Sequence, residues 1–218
     1  MKKLPKTITQ EEFEKIFKAT KKSYRKDKRQ ILLAMLLGFE AGMRISEIVG
    51  HHKQVSRCCK ADTKIVRDKE KKRKFKYCIK CEKLLGLKDT VFCSEWKIYP
   101  LTRDKVDQTS IRIECGKGEK DRIVSRPKRV NVNVIKLLPL KIGRRTLQRY
   151  TSQLGREVLG KEITFHTLRH GFATHYYNKT GDILGLQRSL GHTRPDTTAI
   201  YSHTNPIKTN EKIREAFD

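Results

Sequence analysis

This sequence has no apolar run long enough to cross a membrane. The longest, Ile31 to Phe39, spans nine residues, against the roughly 20 that a transmembrane helix needs. No apolar segment of secretory type follows the opening Met1-Lys2-Lys3-Leu4-Pro5. The expectation is a cytoplasmic protein with no membrane partner. Internal repeats are also lacking, which argues against a solenoid or propeller. Acidic residues are scarce: 24 Asp and Glu face 50 Lys and Arg, for a formal net charge of +26. Such an excess repels itself unless a polyanion supplies the countercharge, so nucleic acid is the expected partner. On charge alone DNA and RNA rank equally, and an RNA-binding protein of ribosomal type fits as well.

What is present suits a folded protein. The 218 residues are 36% hydrophobic and 34% charged, enough for a real core under a polar surface. Thr9 followed by Glu12 is a capping box, and Phe13, Ile16 and Phe17 make an apolar stripe behind it. A second helix is expected from about Gln30 to Ala41, ended by Gly42. A short turn from Ser46 to Gly50 follows. Trp96 to Tyr99 and Ser110 to Glu114 alternate like strands. Gly116 to Asp121 reads as a hairpin turn with Arg122 to Val124 as its return strand. Val130, Val132 and Val134 also alternate and extend the predicted sheet. From Arg144 the helical period returns, with further helices over Phe165 to Tyr177 and Ile183 to Leu190. Another begins at Pro195, and a last one covers Ile207 to Phe217. The expected fold is α+β, mainly helical, with a small antiparallel sheet.

Chemistry-bearing residues cluster toward the end. His166 and Arg169 sit at i and i+3. His192 follows His166 by 26 residues, and Tyr201 follows His192 by nine. Arg44 precedes a short helix, and Lys117 occupies a hairpin tip. The strings "AGMRISEIVG", "GKGEKDRIV", "HTLRHGFATHYYN" and "LGHTRPDTTAIYSH" resemble the tyrosine recombinase (integrase) family, most of all its Xer-type branch. All four motifs stand in the family's order.

That resemblance implies an enzyme that cuts and rejoins double-stranded DNA, as a tetramer on paired sites, with no catalytic cofactor. It implies Tyr201 as nucleophile, Arg44 and Arg169 on the phosphate, His166 as base, His192 as a phosphate contact and Lys117 as general acid. The chemistry agrees: planar guanidiniums fork onto phosphate oxygens. A phenol with an ordinary pKa near 10 needs a base or a positive site. Glu47, one turn after Arg44, is a candidate orienting carboxylate. Lys120 rivals Lys117, and Lys120 and Arg122 are expected to touch DNA. His170 and His175 read as surface or core residues. A non-cleaving binder on the same fold and a type IB topoisomerase-like enzyme remain alternatives. The role, whether viral integration, dimer resolution or element mobility, and an archaeal, bacterial or viral setting stay open.

Two departures from the family stand out. The family's N-terminal core-binding domain is expected to be missing, because "LPKTITQEEFEKIF" places the opening almost at the catalytic part. Residues 51–96 form an insertion with no clear period, rich in lysine and arginine between Arg67 and Lys76. It carries the CxxC pair Cys78 and Cys81, but no second CxxC. With Cys59 upstream and Cys93 downstream, these thiols suit one structural Zn²⁺. Cys58 could replace Cys59, and His51 or His52 could replace a cysteine. Free thiols and disulfides are the other readings. The insertion's lysines suggest an added DNA contact, and Cys115 reads as a strand residue.

Overall fold

The computed structural model describes residues 6–67, 74–86, 88–114, 121–192 and 196–201. The chain forms two compact units, Met1–Val49 with Tyr99–Asp218, and Gly50–Ile98.

The first unit opens with α1 (Gln10–Lys22). Thr9 Oγ1 accepts from the Glu12 N–H at 3.2 Å, and Glu12 Oε2 accepts from the Thr9 N–H at 3.1 Å. This is the predicted capping box. Phe13 and Ile16 are buried beneath it. Helix α2 (Lys28–Phe39) buries every residue from Leu33 to Phe39. It is therefore a helix sunk in the core. Gly42 turns the chain at φ +62° into α3 (Ile45–Val49).

A side chain at Gly42 would be strained by that φ. Its Cβ would also lie 2.5 Å from Phe172 Cδ1. Gly42→Ala is expected to cost about 3 kcal/mol, left-handed strain and overpacking together. Urea unfolding measures this, and a change below about 0.5 kcal/mol would show that the turn tolerates a side chain.

The second unit is the insertion, and it is a β module. Strand β1 (His51–Ser56) precedes β2 (Thr63–Arg67), β3 (Lys74–Cys78), β4 (Leu84–Leu85) and β5 (Thr90–Ile98). Strands β1 and β5 pair antiparallel, His51 opposite Ile98 and Ser56 opposite Thr90. The other three make an antiparallel sheet in the order β2-β3-β4. This compact unit runs over Gly50–Ile98, where the sequence suggested 51–96. Its strands, absent from the sequence reading, are the correction.

The chain then resumes the first unit. Strands β6 (Ser110–Ile113) and β7 (Arg122–Ser125) form the predicted antiparallel pair, with Ile111, Ile113 and Val124 buried. Lys117, Lys120 and Cys115 lie outside the described residues. The valine alternation misleads. Asn131 Oδ1 accepts from the Val134 N–H at 3.1 Å and starts α4 (Val132–Ile135). Val130 is buried in the core, whereas Val132 is 68% exposed. Helices α5 (Arg144–Leu159), α6 (Phe165–Thr180), α7 (Ile183–Leu190) and α8 (Asp196–Ala199) complete the order. Pro195 and the expected tail helix fall outside the described residues. The main core joins α1, α2, α3, β6, β7, α5 and the start of α6. A second cluster packs Ala173, Leu186, Leu190 and Tyr201. The class is α+β and mainly helical, as expected. Among the described residues no helix is long and apolar enough to cross a membrane.

Candidate active site

Glu47 is the hub of the first unit's polar residues. Its side chain is fully buried. Oε1 accepts from Arg44 Nη1 at 2.8 Å and from Arg122 Nη1 at 2.8 Å. Oε2 accepts from Arg122 Nη2 at 2.7 Å and from the Arg44 N–H at 2.7 Å. Burial by itself would raise the Glu47 pKa, but the Arg122 fork and Arg44 overcome it and hold the carboxyl at about 2. Arg122 Nε also donates to the Ser189 carbonyl at 2.9 Å. Gly191 makes room for this arginine, because a Cβ there would stand 2.8 Å from Arg122 Cδ.

Arg169 rises from the middle of α6 and is buried. Nη1 donates to the Gly42 carbonyl and Nη2 to the Leu190 carbonyl, each at 2.5 Å. Burial and then the Arg44 charge lower its pKa to about 9, which leaves it cationic at neutral pH. His192 follows the end of α7. Its Nε2 lies 3.4 Å from Arg169 Nη2 and its Nδ1 2.9 Å from Thr198 Oγ1. Burial and the arginines lower its pKa to about 4, so the ring is neutral. With Arg169 donating to Nε2, the proton belongs on Nδ1, facing Thr198. Arg44, Arg122 and Arg169 against the single carboxylate of Glu47 leave an excess of positive charge, which suits an anion.

Tyr201 follows α8 and is 2% exposed. Its hydroxyl lies 2.6 Å from His170 Nδ1. Burial raises the phenol to about 12 and lowers His170 to about 4. The proton therefore stays on the phenol, which donates a hydrogen bond to the neutral imidazole. His166 packs edge-on against His170, ring centroids 4.5 Å apart at 79°. It lines an open cleft of about 380 Å³ with Lys6, Arg156 and His170.

The structure thus brings together Arg44, Glu47, Arg169 and His192, and it buries Tyr201 on His170. His166 is exposed while Arg169 is buried, although their spacing suggested a shared face. Arg122, expected to touch DNA, spends its guanidinium on Glu47 and keeps its side chain only 7% exposed. His170, read as surface or core, is the residue that sequence reasoning missed. Its only sequence signal is the i,i+4 step from His166, which puts the two imidazoles on one face. Thr198, which orients His192, carried no signal.

In the insertion, the sulfurs of Cys58, Cys59, Cys78 and Cys81 lie within 4.8 Å of one another. Cys93 instead donates to the Lys53 carbonyl at 3.4 Å. The grouped set therefore takes Cys58 in place of the expected Cys93. His52 stacks on Trp96 at 3.7 Å between centroids and belongs to no such group among the described residues.

Comparison with known proteins bears on this site. The family model described as "Phage integrase family" matches residues 98–207, just over half of the chain. A "Tyrosine recombinase XerA" from Thermococcus kodakarensis is 26% identical over 213 residues, covering 98% of this chain and 62% of the relative. A "Tyrosine recombinase" from Thermosipho africanus is 35% identical over 107 residues, covering 43% of this chain and 38% of the relative. The chain thus spans less than two thirds of these relatives' length. Among solved structures, a XerA recombinase superposes with a TM-score of 0.59 at 20% identity, covering 99% of this chain and 65% of that one. The catalytic domain of bacteriophage HP1 integrase gives 0.54 at 19% identity, covering 95% and 93%. Both share the fold.

Proposed function

Because this chain belongs to the phage integrase family, we propose that it cuts and rejoins double-stranded DNA with Tyr201 as the nucleophile. One observation carries the reading most. Arg44, Arg122 and Arg169, drawn from three separate segments, carry more positive charge than the single carboxylate of Glu47 neutralises, and the neutral His192 ring lies beside Arg169. A bound phosphodiester offsets one of the two excess positive charges, and the second negative charge that builds in its transition state offsets the other.

In this scheme the Tyr201 oxygen attacks phosphorus and the bond to the 5′ oxygen breaks. Arg44 and Arg169 hold the non-bridging oxygens as charge builds in the transition state. His166 takes the phenol proton, and Lys117 protonates the leaving 5′ oxygen. The products are a 3′-phosphotyrosine and a free 5′-hydroxyl, and attack by another 5′-hydroxyl reseals the strand. Tyr201 must first leave His170, because a nucleophile that is 2% exposed cannot meet a duplex. The chemistry runs on protein groups and DNA alone, so a metal in this chain is structural and sits in the insertion. We assign the working assembly to a tetramer on paired sites, with Lys120 at the DNA backbone.

A pool of mixed-sequence duplexes, each nicked so that a short fragment escapes after cleavage, tests this. The wild-type chain is expected to yield a protein–DNA adduct on a denaturing gel. Absence of any adduct across the pool would sink the proposal. Arg169→Lys keeps a charge but loses the fork to two carbonyls. It is expected to slow adduct formation about 100- to 1,000-fold in single-turnover assays. A change under about threefold would remove Arg169 from the chemistry.

A further inference from the structure

The insertion contains the same turn twice. After β1, the Ser56 N–H donates to the Ala61 carbonyl at 2.8 Å and the Lys60 N–H to the Ser56 carbonyl at 3.0 Å. After β3, the Cys78 N–H donates to the Lys83 carbonyl at 3.0 Å and the Glu82 N–H to the Cys78 carbonyl at 2.9 Å. Each turn also has one residue in the left-handed region, Lys60 and Glu82, both at φ 52°, and no other described non-glycine residue does. The match pairs Ser56 with Cys78, Cys59 with Cys81, and Lys60 with Glu82.

Two such turns facing each other are a recurrent way to grip a metal with a cysteine at the first and fourth positions of each. Here the second turn has both, Cys78 and Cys81. The first turn has Cys59, but Ser56 stands where its partner should be. Ser56 is fully buried, and its Oγ sits 3.2 Å from Cys78 Sγ. The missing sulfur comes from Cys58, within the turn itself, whose Sγ lies 3.5 Å from Cys81 Sγ. All four sulfurs fall within 4.8 Å of one another. Zinc–sulfur bonds of about 2.3 Å in a tetrahedron put sulfurs about 3.8 Å apart, so small movements suffice.

The module's composition points the same way. Among its described residues the buried apolar side chains are Val55, Cys78, Leu85 and Ile98. Ile65 and Leu84 are more than half exposed. A unit with so little apolar core needs a cross-link or a metal to fold. Arg57, Lys60, Lys80 and Lys83 are exposed around the two turns. They offset the two negative charges of a tetrathiolate-bound Zn²⁺.

We propose that Cys58, Cys59, Cys78 and Cys81 bind one structural Zn²⁺, with Cys58 standing in for a first-position cysteine that Ser56 has replaced. Binding expels the thiol protons and leaves the ion closed to further ligands. The assignment is independent of the recombinase reading.

Metal analysis of the full chain, purified under reducing, chelator-free conditions, is expected to find about one zinc per chain. Cobalt substituted for zinc is expected to show the visible bands of a tetrahedral tetrathiolate site. Cys81→Ala and Cys58→Ala should each lower bound zinc at least about tenfold, while Cys93→Ala keeps it. The double variant Cys58→Ala, Ser56→Cys should recover both zinc and the cobalt bands. Less than about 0.1 zinc per wild-type chain, or iron in its place, would overturn the site. Loss of zinc in Cys93→Ala would overturn the ligand set. Failure of Ser56→Cys to rescue would overturn the equivalence of the two turns, and because rescue demands a folded module, it also separates ligand loss from misfolding.

Discussion

Tyr201→Phe is expected to abolish the covalent protein–DNA adduct entirely, while leaving DNA retention in a gel-shift assay within about twofold of the wild type. The first effect follows from the chemistry, since a phenyl ring has no oxygen with which to form a phosphoester. The second follows from position: Tyr201 is buried against Ala173, Leu186 and Leu190, and phosphate contacts, which dominate affinity, come from cations. The ring keeps its packing. The resting fold loses the 2.6 Å bond to His170, worth about 1 kcal/mol. An adduct surviving in Tyr201→Phe would move the nucleophile elsewhere. A large loss of stability instead would make Tyr201 a packing residue first.

Glu47→Ala should produce the largest fall in stability of any single exchange at the site. It leaves the Arg122 guanidinium, whose side chain is 7% exposed, without its partner. Breaking a buried pair in this way costs about 3 to 5 kcal/mol. For a chain of this size that lowers Tm by roughly 10 °C. The pH dependence identifies the cause. Folding lowers the Glu47 pKa from 4.5 to about 2. Its stabilisation is therefore complete above pH 4.5 and lost as pH falls toward 2, a change of about 3 kcal/mol. The gap between wild type and Glu47→Ala should accordingly narrow over that window in urea unfolding curves. A gap that stays constant down to pH 2 would mean that the carboxylate's charge is not what holds the arginines.

Most helices of the first unit were legible because local rules and tertiary packing agree there. Thr9 and Glu12 cap α1, and Ile183–Leu190 occupies its predicted bounds. The valines from 130 to 134 failed because an asparagine cap between them outweighs alternation. The insertion's strands failed for a different reason. Ile65 and Val66 are adjacent in β2 and both exposed, so no face is buried consistently and no period of two can appear. At the site, the residue types were legible but their partners were not. Arg122 looked like a free cation until Glu47, 75 positions away, claimed it. His170 acquires its partner only when α6 and the segment after α8 come together, 31 positions apart.

The ends of the insertion meet. His51 faces Ile98 across an antiparallel pair, where facing Cα atoms are about 5 Å apart. On the other side of the junction, the Leu101 N–H donates to the Ile48 carbonyl at 3.2 Å. Chain entry and exit are therefore neighbours, and the main core is already stitched across them. A short turn could bridge the gap, which is the condition for a cassette that an ancestor can gain or discard without refolding its host. Cutting out Gly50–Ile98 and closing the gap with such a turn should therefore leave the host's core in place.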